Sequence, residues 1–232
     1  PSSPRTAGET TVPEAHLQAP MPGVPSLAER YRATRGLSEA LCVQLSEADA
    51  TIQSMPDASP AKWHLAHTTW FFETFLLRDR LPGYRLFDER WPFLFNSYYE
   101  AEGQRIPRAR RGMLSRPTVA EICQWRAHVD EKMAALLASP LHAPLIELGL
   151  AHEQQHQELL LTDIKHALAQ NPLGPAMWPE PATVERTANG PEWHEHPGGI
   201  ALVGHRGDGL AFDNEGPAQR VLVEPFALAG RL

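Results

Sequence analysis

Residues 144–169 read PLIELGLAHEQQHQELLLTDIKHALA and predict a long amphipathic helix that carries a pair of histidines. Apolar residues recur in this segment at intervals of three and four, the spacing that places side chains on one face of an α-helix. His152 and His156 stand four positions apart, so the two imidazoles lie on one face, one turn from each other. The predicted stripe on this face consists of Leu145, Leu148, His152, His156 and Leu159.

Three further helices are predicted upstream. The first begins near Ser26, where Ser26 and Glu29 have the spacing of a capping box. The second begins at Ser59, with Pro60 in its first turn, and the third begins at Thr118. The predicted stripes of the first and third helices consist of Leu27, Tyr31, Leu37, Leu41 and Leu45, and of Ile122, Trp125, Val129, Met133 and Leu136. A mainly α fold, with these helices in a four-helix bundle, would bury the stripes together.

The chain is predicted to divide into four parts. Residues 1–25, rich in Pro, Ala, Ser and Thr, predict a disordered tail, and residues 26–170 predict the helical domain. Residues 171–197 contain several prolines, which interrupt helices, and predict a linker. Residues 198–232 contain strand-like runs, such as 200–203, between Gly and Asn/Asp turns. We expect this last part to be the incomplete start of a β-rich domain.

The composition argues against several classes of protein. The formal net charge is -7, whereas a general nucleic-acid binder usually carries a basic surplus. No apolar run approaches the roughly 20 residues that span a bilayer, so no membrane contact is expected. The two cysteines, Cys42 and Cys123, do not make a disulfide scaffold and indicate a reducing compartment. These features are typical of a cytoplasmic enzyme that acts on small molecules.

The second predicted helix contributes two more histidines, His64 and His67, on one face. In a bundle, a histidine from this helix can complete a three-nitrogen metal site with His152 and His156. A solvated or hydrogen-bonded pair is the alternative interpretation of the i, i+4 spacing. His64 is open to interpretation as a ligand, as the partner of a ligand or as a core residue, whereas His166 is predicted to lie on the surface. Three neutral imidazoles suit iron as well as zinc, so the spacing does not choose the metal.

The segment from His152 to His156 also matches the His-Glu-x-x-His motif of metalloproteases, with Glu153 as the general base. The extended form of that motif requires a glycine and a third histidine, where this chain has Leu159 and Thr162. Because four residues with two free positions recur by chance, the motif alone is weak. The context therefore argues against a protease.

Several segments resemble one enzyme family. They are residues 55–75, 95–100, 108–117, 152–158 and 212–217, which read MPDASPAKWHLAHTTWFFETF, FNSYYE, RARRGMLSRP, HEQQHQE and FDNEGP. In this order they are similar to the sulfoxide synthases of ergothioneine biosynthesis, over about residues 26–232. The resemblance implies a DinB-like four-helix domain followed by a domain related to formylglycine-generating enzymes.

The resemblance also implies a metal, substrates and a reaction. It implies Fe(II) bound by His67, His152 and His156, and oxygen as a co-substrate. It implies that the sulfur of γ-glutamylcysteine or cysteine is joined to the imidazole of hercynine (trimethylhistidine), with oxidation to the sulfoxide. The family's catalytic tyrosine lies in the second domain, which in this chain means beyond Leu232.

Substrate contacts follow from the same resemblance. Gln155 matches a position that contacts hercynine, and the alternative for it is a polar residue on a helix surface. Arg105 and Arg108 match positions that hold the carboxylate of the thiol substrate, which suits the planar guanidinium group. Arg110 and Arg111 compete for these matches, and a solvated basic face is the alternative for all of them.

Tyr98 and Tyr99 do not match the motif of the missing tyrosine, so we expect the chain by itself to fold but to form no sulfoxide. Two other functions stay open. One is a DinB-like metal-dependent thiol transferase or hydrolase that uses zinc or nickel, and the other is an inactive metal-binding module.

Overall fold

The computed structural model describes residues 25–179, 190–207 and 209–231. The predicted tail therefore lies outside the described residues except for residue 25, and so do residues 180–189 of the predicted linker. The described chain is mainly helical and ends in short antiparallel strands.

The helical part contains four longer helices among the described residues: α1 (Leu27–Cys42), α3 (Ala61–Phe72), α5 (Val119–Leu137) and α6 (Ala143–Ala169). The shorter helices between them are α2 (Glu47–Thr51) and α4 (Trp91–Phe95). A π-helical turn continues α3 over Glu73–Arg78, and 3₁₀ turns lie at Glu100–Glu102, Arg108–Met113, Pro140–His142 and Asp213–Glu215. In the described residues no single helix is long and apolar enough to cross a bilayer. The segments Val119–Leu137 and Pro140–Ala169 meet that test only when taken together, across a bend of 114°.

The predicted helix starts are confirmed where a capping box specifies them. At the start of α1 the backbone N–H of Glu29 donates to Ser26 Oγ at 3.2 Å, and the backbone N–H of Ser26 donates to Glu29 Oε2 at 2.7 Å. Thr118 and Glu121 make the same reciprocal pair at the start of α5. These bonds satisfy N–H groups that have no partner within the helix.

The second predicted helix begins two residues later than expected, because Ser59 has other partners. Its backbone N–H donates to Asp163 Oδ2 at 2.7 Å, and its hydroxyl accepts from Arg111 Nη1 at 2.9 Å. Pro60 is therefore the N-cap, and α3 begins at Ala61.

The apolar stripe of α5 is buried as predicted, whereas the stripe predicted for α6 is out of phase. Leu148 and Leu159 are each 37% exposed. The buried residues of α6 are Ile146, Gly149, Leu150, Glu153, Gln157, Leu160, Asp163, Ile164 and Ala167. In α1, Leu37 is exposed, while the polar residues Thr34, Arg35 and Ser38 are buried. A prediction based on apolar residues alone does not identify these buried faces, because each of them also buries polar side chains.

A buried ion-pair cluster explains these polar faces. Glu153, which is fully buried, accepts hydrogen bonds from Arg35 Nη1 at 3.0 Å, Arg126 Nη2 at 2.9 Å and Ser38 Oγ at 2.6 Å. Burial alone would raise the pKa of Glu153, but the two guanidinium groups and the hydrogen bonds lower it to about 2. The cluster joins α1, α5 and α6 through groups that are paired and hydrogen-bonded, as buried charges must be.

Gly149 sets how closely α6 approaches α3. A Cβ atom at this position would lie 2.7 Å from Phe72 Cε1 and 2.9 Å from Phe71 Cε1. Both distances are shorter than a Cβ atom normally makes, so a larger residue here would force the phenylalanine rings or the helices to shift. The close approach brings the histidines of α3 and α6 together.

The strands form two antiparallel pairs. They are β1 (Trp193–His196) with β4 (Phe226–Ala229), and β2 (Gly199–Val203) with β3 (Gln219–Val223). The run predicted at 200–203 lies within β2, but β1 lies inside residues 171–197, which were predicted to be linker. The sequence of β1, WHEH, has a single apolar residue, so its pattern does not indicate a strand.

Candidate metal centre

Three histidines from two helices meet at one point. His67 comes from α3, and His152 and His156 come from successive turns of α6. One ring nitrogen from each of them lies within 4.8 Å of the others. The ring centroids are 4.9 Å apart for His67 and His152, 4.7 Å for His67 and His156, and 4.6 Å for the pair on α6. The structure thus brings together the three residues that the sequence predicts as ligands.

His67 is held firmly on both sides. Its ring stacks against Trp63, with centroids 4.6 Å apart, and against Trp70, with centroids 5.4 Å apart. Its Nδ1 lies 2.6 Å from the carbonyl oxygen of Phe95. Because a carbonyl only accepts, Nδ1 carries the hydrogen, and the lone pair of Nε2 is left for a metal ion.

The other two histidines differ in how their second nitrogen is held. Nδ1 of His156 lies 2.8 Å from Nδ1 of His64. Nδ1 of His152 is buried and has no hydrogen-bond partner among the described residues. A buried polar atom without a partner is unusual in a folded protein. A metal ion bound at the cluster is one partner that could satisfy the His152 ring. The donor set therefore fits a divalent metal ion.

The electrostatics of the site favour neutral imidazoles, the form that binds metal. Burial lowers the pKa of His152 to about 4. Burial and then the neighbouring His152 hold the pKa of His67 well below its usual value, and burial and then His67 lower the pKa of His156. No carboxylate joins the three-histidine cluster in the described residues, so the full charge of a divalent ion would be kept.

A cavity of about 320 Å³ opens in front of the three histidines. Arg111 lies in its wall and is 4% exposed. Its Nη1 and Nη2 donate to Ser59 Oγ at 2.9 Å and Ser97 Oγ at 3.0 Å, and its Cζ lies 3.4 Å from the ring centroid of Trp63. Burial, and then the nearby Arg108, lower the pKa of Arg111 to about 10. Arg111 forms no ion pair with any described residue, and its buried Nε lacks a hydrogen-bond partner there.

Of the two arginines predicted to bind substrate, the cavity wall includes Arg108 but not Arg105. Nη2 of Arg105 lies 3.9 Å from Glu100 Oε1, whereas Nη1 of Arg108 donates to the hydroxyl of Tyr98 at 3.0 Å. The 3₁₀ turn Arg108–Met113 explains this difference. Such a turn has three residues per turn, so Arg108 and Arg111 lie on the same side. The cavity wall therefore contains Arg108 together with Arg111, one of the two arginines that compete for the predicted match, whereas Arg105 lies outside it.

The family comparison covers most of the helical part of the chain. A model of the DinB superfamily matches residues 30–160, which is more than half of the chain. The chain belongs to the DinB superfamily. The comparison with curated proteins finds no match. The DinB match includes all three histidines, both cavity arginines and Gln155, which also lines the cavity.

Two tyrosines of this DinB domain lie at the cavity, although neither was a candidate from sequence. Tyr98 and Tyr99 both line it. The ring of Tyr99 packs against Trp70 and Phe75, with centroid distances of 5.3 and 5.1 Å. The short segment FNSYYE carried the only sequence signal, through its place in the resemblance.

The position of Glu153 in the DinB domain argues against a role as a protease base. A protease base must reach a metal-bound water, whereas this carboxylate is fully buried between Arg35 and Arg126.

His166, predicted to lie on the surface, is partly buried, and its Nδ1 lies 2.7 Å from Ser54 Oγ.

Proposed function

We propose that this DinB domain carries the iron centre of an oxygen-dependent sulfoxide synthase, which joins the thiol of γ-glutamylcysteine or cysteine to hercynine. One observation carries the proposal: three neutral histidines and two arginines, Arg108 and Arg111, line the same cavity. A thiol substrate with a carboxylate requires both kinds of group. The resemblance of the histidine and arginine segments to this family supports the same assignment. The relation of the C-terminal strands to formylglycine-generating enzymes is part of the proposal.

The overall reaction balances without a further reductant. The thiol S–H and an imidazole C–H each give up a hydrogen, one oxygen atom becomes the sulfoxide oxygen, and the other leaves as water. The four electrons that reduce dioxygen therefore come from the two substrates. Iron held by His67, His152 and His156 would supply the redox chemistry and a positive charge that favours the thiolate.

The arginines are suited to position the thiol substrate. The two serine hydroxyls fix the Arg111 guanidinium, and the face of Trp63 covers it. Its Nε and the Nε of Arg108 are both buried without partners among the described residues. A carboxylate bound there would satisfy both groups and neutralise a buried cation. Such a bond fixes the molecule so that its sulfur can reach the histidine cluster.

The rest of the wall suits a zwitterionic imidazole compound such as hercynine. Gln155 offers a neutral amide, which orients a ligand without changing the charge of the site. The aromatic ring of Tyr99 offers a π-face of the kind that attracts quaternary ammonium groups. In this arrangement hercynine would lie beside Gln155, and the carboxylate of the thiol substrate would lie beside Arg111.

A second candidate function is a metal-dependent thiol transferase or hydrolase that uses zinc or nickel. The observation that favours it is the ligand set itself. Three histidines without a carboxylate are also the ligands of zinc enzymes that keep a bound water. The same arginines would bind its thiol.

The test uses protein that includes the second domain implied by the resemblance, prepared metal-free and loaded anaerobically with Fe(II) or with Zn(II). Each form receives hercynine, γ-glutamylcysteine and oxygen, and the sulfoxide is sought by mass spectrometry alongside oxygen uptake. We expect uptake that requires iron and both substrates together. Zinc-dependent consumption of the thiol without oxygen uptake would favour the second candidate.

Substrate binding is tested separately in the Co(II)-loaded protein. A thiolate bound to cobalt produces a charge-transfer band, which should appear with γ-glutamylcysteine but not with its S-methyl derivative. Arg111→Gln should weaken this binding at least tenfold, the loss expected for a buried charge-assisted pair of about 1.5–3 kcal/mol. Arg110→Gln is the matched control, because Arg110 is exposed and does not line the cavity. Equal effects of the two variants would contradict the assignment of Arg111.

A further inference from the structure

A chain of hydrogen bonds lies behind His156. Nδ1 of His156 is 2.8 Å from Nδ1 of His64, and Nε2 of His64 is 3.1 Å from Asp163 Oδ2. The same oxygen of Asp163 accepts from the backbone N–H of Ser59 at 2.7 Å. His64 and Asp163 are 3% and 9% exposed, so water does not compete freely for these bonds.

The position of each hydrogen follows from the ends of the chain. The His64 bond and the Ser59 N–H lower the pKa of Asp163 against the opposing effect of burial, so this carboxylate is charged and only accepts. His64 must therefore carry a hydrogen on Nε2. The two facing Nδ1 atoms lie 2.8 Å apart, so one donates and the other accepts; with its hydrogen on Nε2, the neutral His64 ring accepts through Nδ1. The hydrogen between the two rings then belongs to His156, whose Nε2 keeps a lone pair.

We propose that Asp163 is a positioning residue of the metal centre: through His64 it fixes the tautomer of His156 and so determines which nitrogen of that ligand faces the metal. Without the carboxylate, the pair of rings can take the reverse arrangement, with His64 as the donor and a hydrogen on Nε2 of His156. That form cannot bind a metal through Nε2. The inference rests on the metal-binding part of the proposed function and not on the reaction.

Asp163 is itself held independently of His64. The Ser59 N–H fixes its oxygen, and the Ser59 hydroxyl accepts from Arg111 in the cavity wall. The carboxylate is therefore oriented before a metal binds. His67 needs no such device, because a backbone carbonyl, that of Phe95, fixes its tautomer directly.

The first experiment reads the tautomers in the metal-free wild-type protein. Long-range ¹H–¹⁵N NMR spectra of histidine rings distinguish the two neutral tautomers by their nitrogen shifts. We expect the Nε2–H form for His64 and the Nδ1–H form for both His156 and His67. An Nε2–H form for His156 would overturn the inference.

The second experiment compares Co(II) affinities of three variants. Asp163→Ala should weaken binding about 10–100-fold, the usual loss when the partner of a metal ligand is removed. Asp163→Asn keeps an acceptor oxygen and should restore most of the affinity together with the wild-type tautomers. Asp130→Ala is the control: this carboxylate is partly buried and bonds Tyr31 and Arg35, so its loss should lower stability but leave cobalt affinity unchanged.

The outcomes separate this inference from the proposed function. Unchanged affinity in Asp163→Ala, or equal losses in Asp163→Ala and Asp163→Asn, would overturn it. If Asp163→Ala does not fold, the wild-type tautomers and Asp163→Asn decide the question. A wild-type protein that binds no Co(II) would contradict the metal centre itself, while the NMR tautomers would still decide the hydrogen-bond assignment.

Discussion

Helix α6 has two polar faces that begin at neighbouring residues and use their polar groups in opposite ways. His152 and His156 face a cavity, and Nδ1 of His152 has no partner among the described residues. Glu153 and Gln157, each one residue further along the chain, face the core. Both Glu153 oxygens accept hydrogen bonds, and the Gln157 amide donates to Thr34 and Ser38 at 2.8 and 2.9 Å.

The contrast separates residues that stabilise the fold from residues that are available to bind a ligand. On the core face each charge is paired inside the protein, so its removal should appear in the free energy of unfolding. On the cavity face the imidazoles are neutral and the cation of Arg111 lacks an anion in the described chain. Removal of these side chains should therefore lower the affinity for metal or substrate. Variants on the two faces therefore test the contrast directly.

The largest expected effect is on the cavity face. His156→Ala should abolish metal binding, because two histidines without a third ligand do not complete the site. Metal content after anaerobic loading with Fe(II), measured by elemental analysis, checks this. His64→Ala should lose less, about 10–100-fold in affinity, since His64 contacts the ligand and not the metal.

His166→Ala is the control on the same helix, because His166 bonds Ser54 and lies outside the histidine cluster. It should bind iron as the wild type does. Equal loss of iron from His156→Ala and His64→Ala would argue against the ligand assignment.

The next effect is on the core face. Glu153→Ala would leave the buried guanidinium groups of Arg35 and Arg126 without their shared carboxylate. Breaking a buried pair in this way typically costs about 3–5 kcal/mol of stability. Urea unfolding measures the loss, with the exposed Glu158→Ala as control. If Glu153→Ala kept wild-type stability but lost its metal, the division between the two faces would be wrong.

Acid should affect the two faces in different ranges of pH. Burial lowers the pKa of His152 to about 4, against its usual 6.5, so below pH 6.5 the unfolded chain takes up a proton that the folded metal-free protein refuses. Stability therefore falls as the pH drops from 6.5 towards 4. Despite burial, Arg35 and Arg126 hold the pKa of Glu153 at about 2, against its usual 4.5. Its contribution is complete above pH 4.5 and is lost between 4.5 and 2.

Urea unfolding of metal-free protein at about pH 7, 5.5 and 3.5 checks both ranges. His152→Phe should reduce the loss of stability between the first two values and leave the further loss at the third. A stability that is constant from neutral pH to 5.5 in the wild type would contradict the neutral, buried state of the histidine.

The sequence predicted the cavity face better than the core face, for a physical reason. The spacing of His152 and His156 is a local pattern, and helical geometry places the two side chains on one face. The buried cluster joins Arg35, Arg126 and Glu153, which are far apart in sequence, and each of them alone has the composition of a surface residue.

Arg111, which lines the cavity, and Asp163, which bonds His64 behind it, show the same limit. Arg111 lines the cavity and Arg105 does not, and this depends on a 3₁₀ turn that the residues around it do not indicate. Asp163 meets Ser59 and His64 only when α6 packs against the start of α3.

The smallest predicted effect concerns Gly149, which lies where the two faces meet. Phe71, which contacts the ring of His152, and Phe72, which lies under the guanidinium of Arg35, both touch this glycine. Gly149→Ala should therefore push α6 away from α3 and disturb both faces together. We expect a loss of about 1–3 kcal/mol in stability, as for other overpacked cores, and a measurable loss of metal affinity.

Gly36→Ala is the matched control, because Gly36 lies within α1 and an added Cβ meets nothing within 4 Å. That variant should be more stable than the wild type by about 0.5–1 kcal/mol, since alanine favours the helix, and its metal affinity should not change. The two measurements on Gly149→Ala, urea unfolding and Co(II) affinity, should change together. A loss of stability with unchanged affinity would show that the close approach of α3 and α6 serves the core alone, and that the histidines hold their positions without it.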